Sequence, residues 1–233
     1  MGSAVRSIHE LEITESNVVL CRVDFNVPIK DGVIQDDFRI RAAVPTINAI
    51  LNTGAKVVLC SHLGRPKGQR VEQLSLLPIA AKLAELLSKD VVFVHDDISS
   101  ETAQIVHEAP ANGVIVLENI RFFAGEKTGD AALASSLASF ADIYVNDAFG
   151  AMHREHASIT GVPEQIEQRG IGLLVERELA ALGSLLSGAQ SPFGAIIGGA
   201  KVSDKIGVIE ALAKRADHLF IGCLLYTSPS PRD

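Results

Sequence analysis

Arginine recurs in this sequence just beyond the ends of short apolar runs. Asp24 and Asn26 follow the run Val18 to Val23, and Arg39 lies near the start of the helical pattern after it. His62 and Arg65 follow Lys56 to Cys60, while Glu118, Asn119 and Arg121 follow Gly113 to Leu117. Asn146, Asp147, His153, Arg154 and His156 follow Asp142 to Val145. In open α/β sheets, ligands bind outside the carboxyl ends of the strands. The pattern therefore brings Arg39, Arg65, Arg121, Arg154 and His62 to one rim of a chain whose formal net charge is −7. Like charges gathered on a rim repel unless an anion fills the space. Arginine's planar fork also matches phosphate and carboxylate oxygens, which lysine's point charge does not. A small, multiply charged phosphorylated acid fits such a rim. Asp24 belongs beside an anion only if it accepts a hydrogen bond from a ligand hydroxyl or orients an arginine. Taken singly, each arginine reads as a solvated surface charge and each loop histidine as inert; the convergence carries the argument.

A second segment, Gly198-Gly199-Ala200-Lys201-Val202-Ser203-Asp204-Lys205, follows an apolar run and opens a helical pattern. Backbone N–H groups at such a place favour an anion. Lys201 and Lys205 oppose the helix dipole there, and an arriving phosphate reverses the sign of that interaction. The plain alternative is a tight turn with two solvated lysines. The segment lacks the spacing of a Walker A loop, and no G-x-G-x-x-G follows the first apolar run.

The elements that must hold these residues can be read from periodicity. Val18 to Val23, Lys56 to Cys60, Val91 to Val94, Gly113 to Leu117 and Asp142 to Val145 are near-continuously apolar, as strands buried on both faces of a parallel sheet are. Helical patterns separate most of them. Ile40, Val44, Ile47 and Leu51 recur behind the capping candidates Asp36 and Asp37. Leu77 to Leu87 carries Pro78 in its first turn, and Ser100 to Glu108 and Asp130 to Phe140 are further helices. This alternation predicts a doubly wound, Rossmann-like α/β domain with a parallel sheet. A break follows near Gly170. Leu173 to Leu186 then reads as one long amphipathic helix, followed by a strand (Gly194 to Ile197), a helix (about Val202 to Ala213) and a strand (His218 to Ile221), the opening βαβ of a second α/β domain.

Composition narrows the classes. Apolar residues make up 47% of the chain, enough for a sizeable core. Mean hydropathy is +0.25, yet no run approaches the roughly 18 apolar residues of a membrane span. The amino terminus has no apolar h-region, so no secretory leader is expected. The acidic balance argues against nucleic-acid binding. Cys21, Cys60 and Cys223 are far apart, lack metal-ligand spacing, and read as reduced, buried thiols.

The runs RVDFNVP (22–28), DDFRI (36–40), SHLGRP (61–66), LENIRF (117–122), VNDAFGAMHREHAS (145–158) and GGAKVSDKI (198–206) resemble, in order and spacing, the signature segments of the phosphoglycerate kinase family. The similarity extends over about residues 5 to 222. The resemblance implies reversible phosphoryl transfer between ATP and the carboxylate of 3-phosphoglycerate, giving 1,3-bisphosphoglycerate and ADP. It implies that Asp24, Asn26 and Arg39 contact the hydroxyl and carboxylate end of the substrate. It also implies that His62, Arg65, Arg121 and Arg154 form the basic cluster, its arginines holding the phosphate. Lys205 matches the lysine that accompanies the transferred group and Lys201 its neighbour on the nucleotide side, so Arg39, Lys205 and Lys201 are the implied catalytic set. The implied cofactor is Mg2+ with ATP/ADP, its ligands expected in a second domain. A cytoplasmic monomer without nucleic-acid or membrane partners is expected.

The expected organisation is a substrate domain over 1–172, an interdomain helix over 173–188, and the start of a nucleotide-binding domain over 189–223. Residues 224–233, with their Ser-Pro-Ser-Pro run, cannot form the βα turn the family pattern continues with and are expected to be foreign. As a half-length fragment the chain is expected to be inactive alone; a non-catalytic phospho-acid-binding module is the alternative.

Overall fold

The structure, a computed structural model, describes residues 5–95, 98–188, 190–198 and 206–222. The chain divides into two units, Met1–Glu178 and Leu179–Asp233. The strands of the first unit are β1 (Val18–Val23), β2 (Ile29–Lys30), β3 (Val33–Ile34), β4 (Lys56–Cys60), β5 (Val91–Val94), β6 (Val114–Leu117), β7 (Ile143–Asp147) and β8 (Gln168–Ile171). Its helices are α1 (Phe38–Leu51), α2 (Leu77–Leu87), α3 (Ser100–Glu108), α4 (Ala124–Thr128), α5 (Ala131–Ala138) and α6 (Val162–Gln165). The helix α7 (Leu173–Gly188) carries the boundary between the units.

Six strands form one sheet in the order β5-β6-β4-β1-β7-β8, every neighbouring pair parallel. A parallel sheet needs cover on both faces, and alternate residues of each strand serve the two layers. Val19, Cys21 and Val23 of β1 pack with Val57, Leu59, Ile47 and Leu83 on the face covered by α1 and α2. Leu20 packs with Val58, Ile115, Leu137 and Tyr144 on the other face, covered by α3, α5 and α6. Arg22 falls on that second face and is 1% exposed, a charge inside the sheet. Strand order reverses beside β1: β4 lies on one side of it and β7 on the other. That is the switch point where the carboxyl ends of strands open a crevice.

Three expectations change. A sixth strand, β8, occupies the place read as a break near Gly170. Its sequence, Gln-Arg-Gly-Ile, has no apolar run because it is an edge strand pairing only with β7 in the sheet. The amino-terminal segment runs beside it, bridging in parallel from Ser7 to Ile171, with Ile171 N donating to Arg6 O at 2.9 Å. A Cβ on Gly170 would stand 2.7 Å from that same Arg6 oxygen, so this close approach requires glycine. Of the two capping candidates before α1, Asp36 accepts from Phe38 N at 2.8 Å. Asp37 makes no cap bond and instead binds Arg41 at 2.7 Å. Finally, β2 and β3 form a small antiparallel hairpin too short to leave a periodic signal.

The described part of the second unit contains a parallel pair, β9 (Gly194–Ile197) and β10 (His218–Ile221), and the helix α8 (Ile206–Ala213). Ile196 is 83% exposed and Phe220 57%, so this pair leaves apolar side chains uncovered. No described helix is long and apolar enough to cross a membrane.

Candidate functional site

The loops leaving β1, β4 and β6 are sewn together before any ligand arrives. Phe25 N donates to Ser61 Oγ at 2.8 Å, and that hydroxyl donates to Val23 O at 2.9 Å. Gly64, at φ +61°, donates its N–H to Asn26 Oδ1 at 2.9 Å and offers its carbonyl to Arg121 Nη1 at 2.6 Å. Buried Asn119 accepts from Leu63 N and Arg121 N and donates to the carbonyls of Leu63 and Leu74. Glu118 accepts from Leu76 N, Asn119 N and the Ser75 hydroxyl. These two strand-end residues are therefore frame rather than ligand contacts.

On this frame Asn26, His62, Gly64, Arg65, Lys67, Arg121, Lys127, Arg154 and His156 line a cavity of about 510 Å³. Every charged side chain on that lining is a cation. Six of the predicted residues, Asn26, His62, Arg65, Arg121, Arg154 and His156, meet here. Burial, then Arg154 and Arg22, holds the Arg121 guanidinium below its usual range. Its Nε is buried without a hydrogen-bond partner, an orphan that an incoming oxyanion would satisfy. His62 is 2% exposed. Burial, then the cations Arg22, Arg121 and Arg154, pushes it down to about 2, so it is neutral at physiological pH. Burial also lowers His156, against the opposing pull of Glu126, whose Oε1 lies 3.4 Å from His156 Nδ1.

Asp24 and Arg39 sit apart from that cavity, in a neighbouring recess of about 160 Å³ shared with Asp147, Phe149 and Glu178. They form an ion pair, Arg39 Nη1 to Asp24 Oδ2 at 2.5 Å. Asn26 N, 3.3 Å from Asp24 Oδ1, connects the recess to the cavity. Asp24 thus orients an arginine, one of the two roles that could justify it beside an anion. Asp147 belongs to the frame: its Oδ1 accepts from Leu174 N and Val175 N, capping the start of α7. Burial raises its pKa against those bonds and the Thr46 hydroxyl. Asn146 also turns inward, donating to Tyr144 Oη and accepting from Ala148 N. His153 is exposed and does not line the cavity. Lys201, Lys205 and Cys223 lie outside the described residues, as does 224–233. Burial raises the thiols of Cys21 and Cys60, the latter to about 12, so both are unreactive.

Sequence reasoning missed four participants. Lys67 was within reach, two residues beyond Arg65 in a loop already singled out. Arg22 carried a signal too, because a charge inside an apolar strand is almost never fully buried without partners. Glu126 and Lys127 gave none; they sit in a short polar helix, α4, that only the tertiary fold brings under the rim. Among the described residues no group of three or more acids, histidines or cysteines could hold a metal.

A family model described as phosphoglycerate kinase matches residues 8–228. Among solved structures, phosphoglycerate kinase from Coxiella burnetii is similar at a TM-score of 0.81 and 35% identity, over 94% of this chain and 55% of that one. Phosphoglycerate kinase from Pyrococcus horikoshii OT3 is similar at 0.84 and 32% identity, over 94% and 55%. The chain thus spans 55% of the length of these relatives.

Proposed function

The chain belongs to the phosphoglycerate kinase family, and from that premise we propose that its first unit is the half that grips 3-phosphoglycerate or 1,3-bisphosphoglycerate. In this reading Arg65, Arg121 and Arg154 hold the substrate phosphate, and His62 donates a hydrogen bond to it. Asn26 and Asp24 take the hydroxyl end, and Arg39 stands at the carboxylate. The observation that carries the reading is the all-cationic cavity, with Arg121 Nε buried and unpartnered in it.

The full-length enzyme then transfers a phosphoryl group reversibly between ATP and the substrate carboxylate. A carboxylate is ionised at neutral pH, so the nucleophile needs no general base. Phosphoryl transfer rests mainly on alignment and charge stabilisation. Arg39 supplies charge at the moving group, which requires it to exchange Asp24 for substrate. Lys205 and Lys201 supply the remainder from the nucleotide side, and α7 is the element about which the two halves close and exclude water. The boundaries 1–172, 173–188 and 189–223, a foreign 224–233, and a cytoplasmic monomer complete the proposal.

We propose further that these 233 residues bind substrate but do not turn it over; separately, the apolar side chains that β9 and β10 expose invite association. Calorimetric titration with 3-phosphoglycerate tests binding, and a coupled ATP assay tests turnover. Heat without turnover is expected; ATP-dependent turnover by the purified chain overturns the second claim.

A further inference from the structure

Behind the cavity wall lies a second layer of charge that substrate binding leaves unused. Arg22 is 1% exposed and Glu126 0%, and Ser158, 2% exposed, joins them. Glu126 grips Ser158 with both oxygens: Oε2 accepts from Ser158 N at 2.9 Å and Oε1 from Ser158 Oγ at 2.7 Å. The hydroxyl has one proton, and it is committed to Glu126, so Oγ faces Arg22 as an acceptor. Arg22 Nε donates to it at 2.9 Å. The guanidinium is then fixed on a second side, where Nη1 donates to Val23 O at 2.5 Å. Its remaining edge brings Nη2 to 3.1 Å from His62 Nδ1. Tyr144 Oη pins the other side of Ser158, donating to its carbonyl at 2.7 Å.

A guanidinium can only donate. The ring nitrogen it meets must therefore be a lone pair, and the imidazole proton must sit on Nε2. We infer that Glu126 and Ser158 are positioning residues that, acting through Arg22, hold His62 as its neutral Nε2–H tautomer, so that the cavity receives a fixed hydrogen-bond donor rather than a base. The depressed pKa of His62 agrees with this arrangement. Protonating the ring would set a second N–H against Arg22 Nη2. The relay also gives the all-cationic cavity its buried counter-charge, since Glu126 lies behind the wall and not on it. The proposal rests on the anion-site reading above for what His62 serves, but not for how His62 is held.

The test is the 15N chemical shifts of the His62 ring by long-range 1H–15N NMR on the ligand-free chain, paired with inorganic phosphate affinity. Wild type should show a neutral Nε2–H pattern unchanged from pH 5 to 8. In Glu126→Gln the amide cannot accept both Ser158 donors, so the ring shifts should average between tautomers. Phosphate binding should then weaken by about 2- to 10-fold, the worth of one ordinary hydrogen bond. A purely electrostatic role predicts the opposite, because removing a buried negative charge makes the site more attractive to an anion. Ser158→Ala breaks the same relay without a charge change and should behave alike; it decides the matter if Glu126→Gln does not fold. In a His62→Gln background both substitutions should lose their effect on affinity. An Nδ1–H or protonated His62 in wild type overturns the relay even if phosphate binds, as do variants that keep the Nε2–H pattern and bind as tightly. Failure of wild type to bind phosphate overturns the anion site and leaves the NMR result standing by itself.

Discussion

Replacing Arg121 by methionine should separate stability from binding. The side chain is half-buried between Arg154 and Arg22, and among the described residues its acceptor is Gly64 O at 2.6 Å. In the free protein the substitution loses that bond, about 1 kcal/mol, but relieves repulsion from two neighbouring guanidinium groups. The two effects oppose, so the melting temperature without ligand should move little. Binding has no such compensation. A hydrogen bond to a charged group contributes about 1.5–3 kcal/mol, so losing the Nε donor alone should weaken affinity roughly 10- to 150-fold. At a ligand concentration about 100 times the wild-type Kd, wild type gains about 2.7 kcal/mol from linkage. The same concentration should stabilise the variant by about 0.3–1.4 kcal/mol. At about 2–4 °C per kcal/mol for a chain of this size, the ligand-induced shift should shrink by about 3–10 °C. Differential scanning calorimetry with and without 3-phosphoglycerate measures both numbers. A variant that keeps the full ligand-induced shift refutes the assignment of Arg121 to the phosphate.

Other perturbations test separate parts of the structure. His62 is held near 2 against an unfolded value near 6.5. Because the unfolded chain binds the extra proton, its contribution is complete above pH 6.5 and is lost progressively as pH falls towards 2. Urea titrations below pH 6 should therefore show wild type losing up to about 1.4 kcal/mol more per pH unit than His62→Gln; equal slopes contradict the neutral buried ring. Gly170→Ala drives a Cβ to 2.7 Å from Arg6 O and should destabilise by about 1–3 kcal/mol, with faster amide exchange at Ile171; wild-type stability refutes the close approach. Arg39→Met should change stability by no more than about 1 kcal/mol, since its pair with Asp24 is half-exposed. Introduced into a full-length relative at the matching position, the same change should abolish turnover; retained kcat removes Arg39 from the transfer step.

The parts of the molecule legible in the sequence are those with a local signal. The central strands announce themselves because burial on both faces demands unbroken β-branched runs, and the cavity arginines because they directly follow those runs. The polar residues in the same positions were ambiguous for a physical reason. A strand end must satisfy its own loop as well as a ligand, and Glu118, Asn119, Asn146 and Asp147 do the former while Asn26 and His62 reach the cavity. Strand β8 was illegible because an edge strand approached this closely by the amino-terminal segment needs glycine rather than an apolar run. The relay from Glu126 to His62 joins α4, the segment around Ser158, β1 and the loop after β4. No spacing along the chain encodes that meeting.

The central claim is that the cationic cavity holds a phosphorylated acid, and one titration tests it directly. Isothermal calorimetry of the 233-residue chain with 3-phosphoglycerate at low ionic strength should give saturable binding within the millimolar range. That binding should weaken as salt rises and be lost in the Arg65→Ala/Arg121→Ala double variant. No heat of binding from the wild-type chain at millimolar ligand and low salt, or binding indifferent to both arginines, contradicts it.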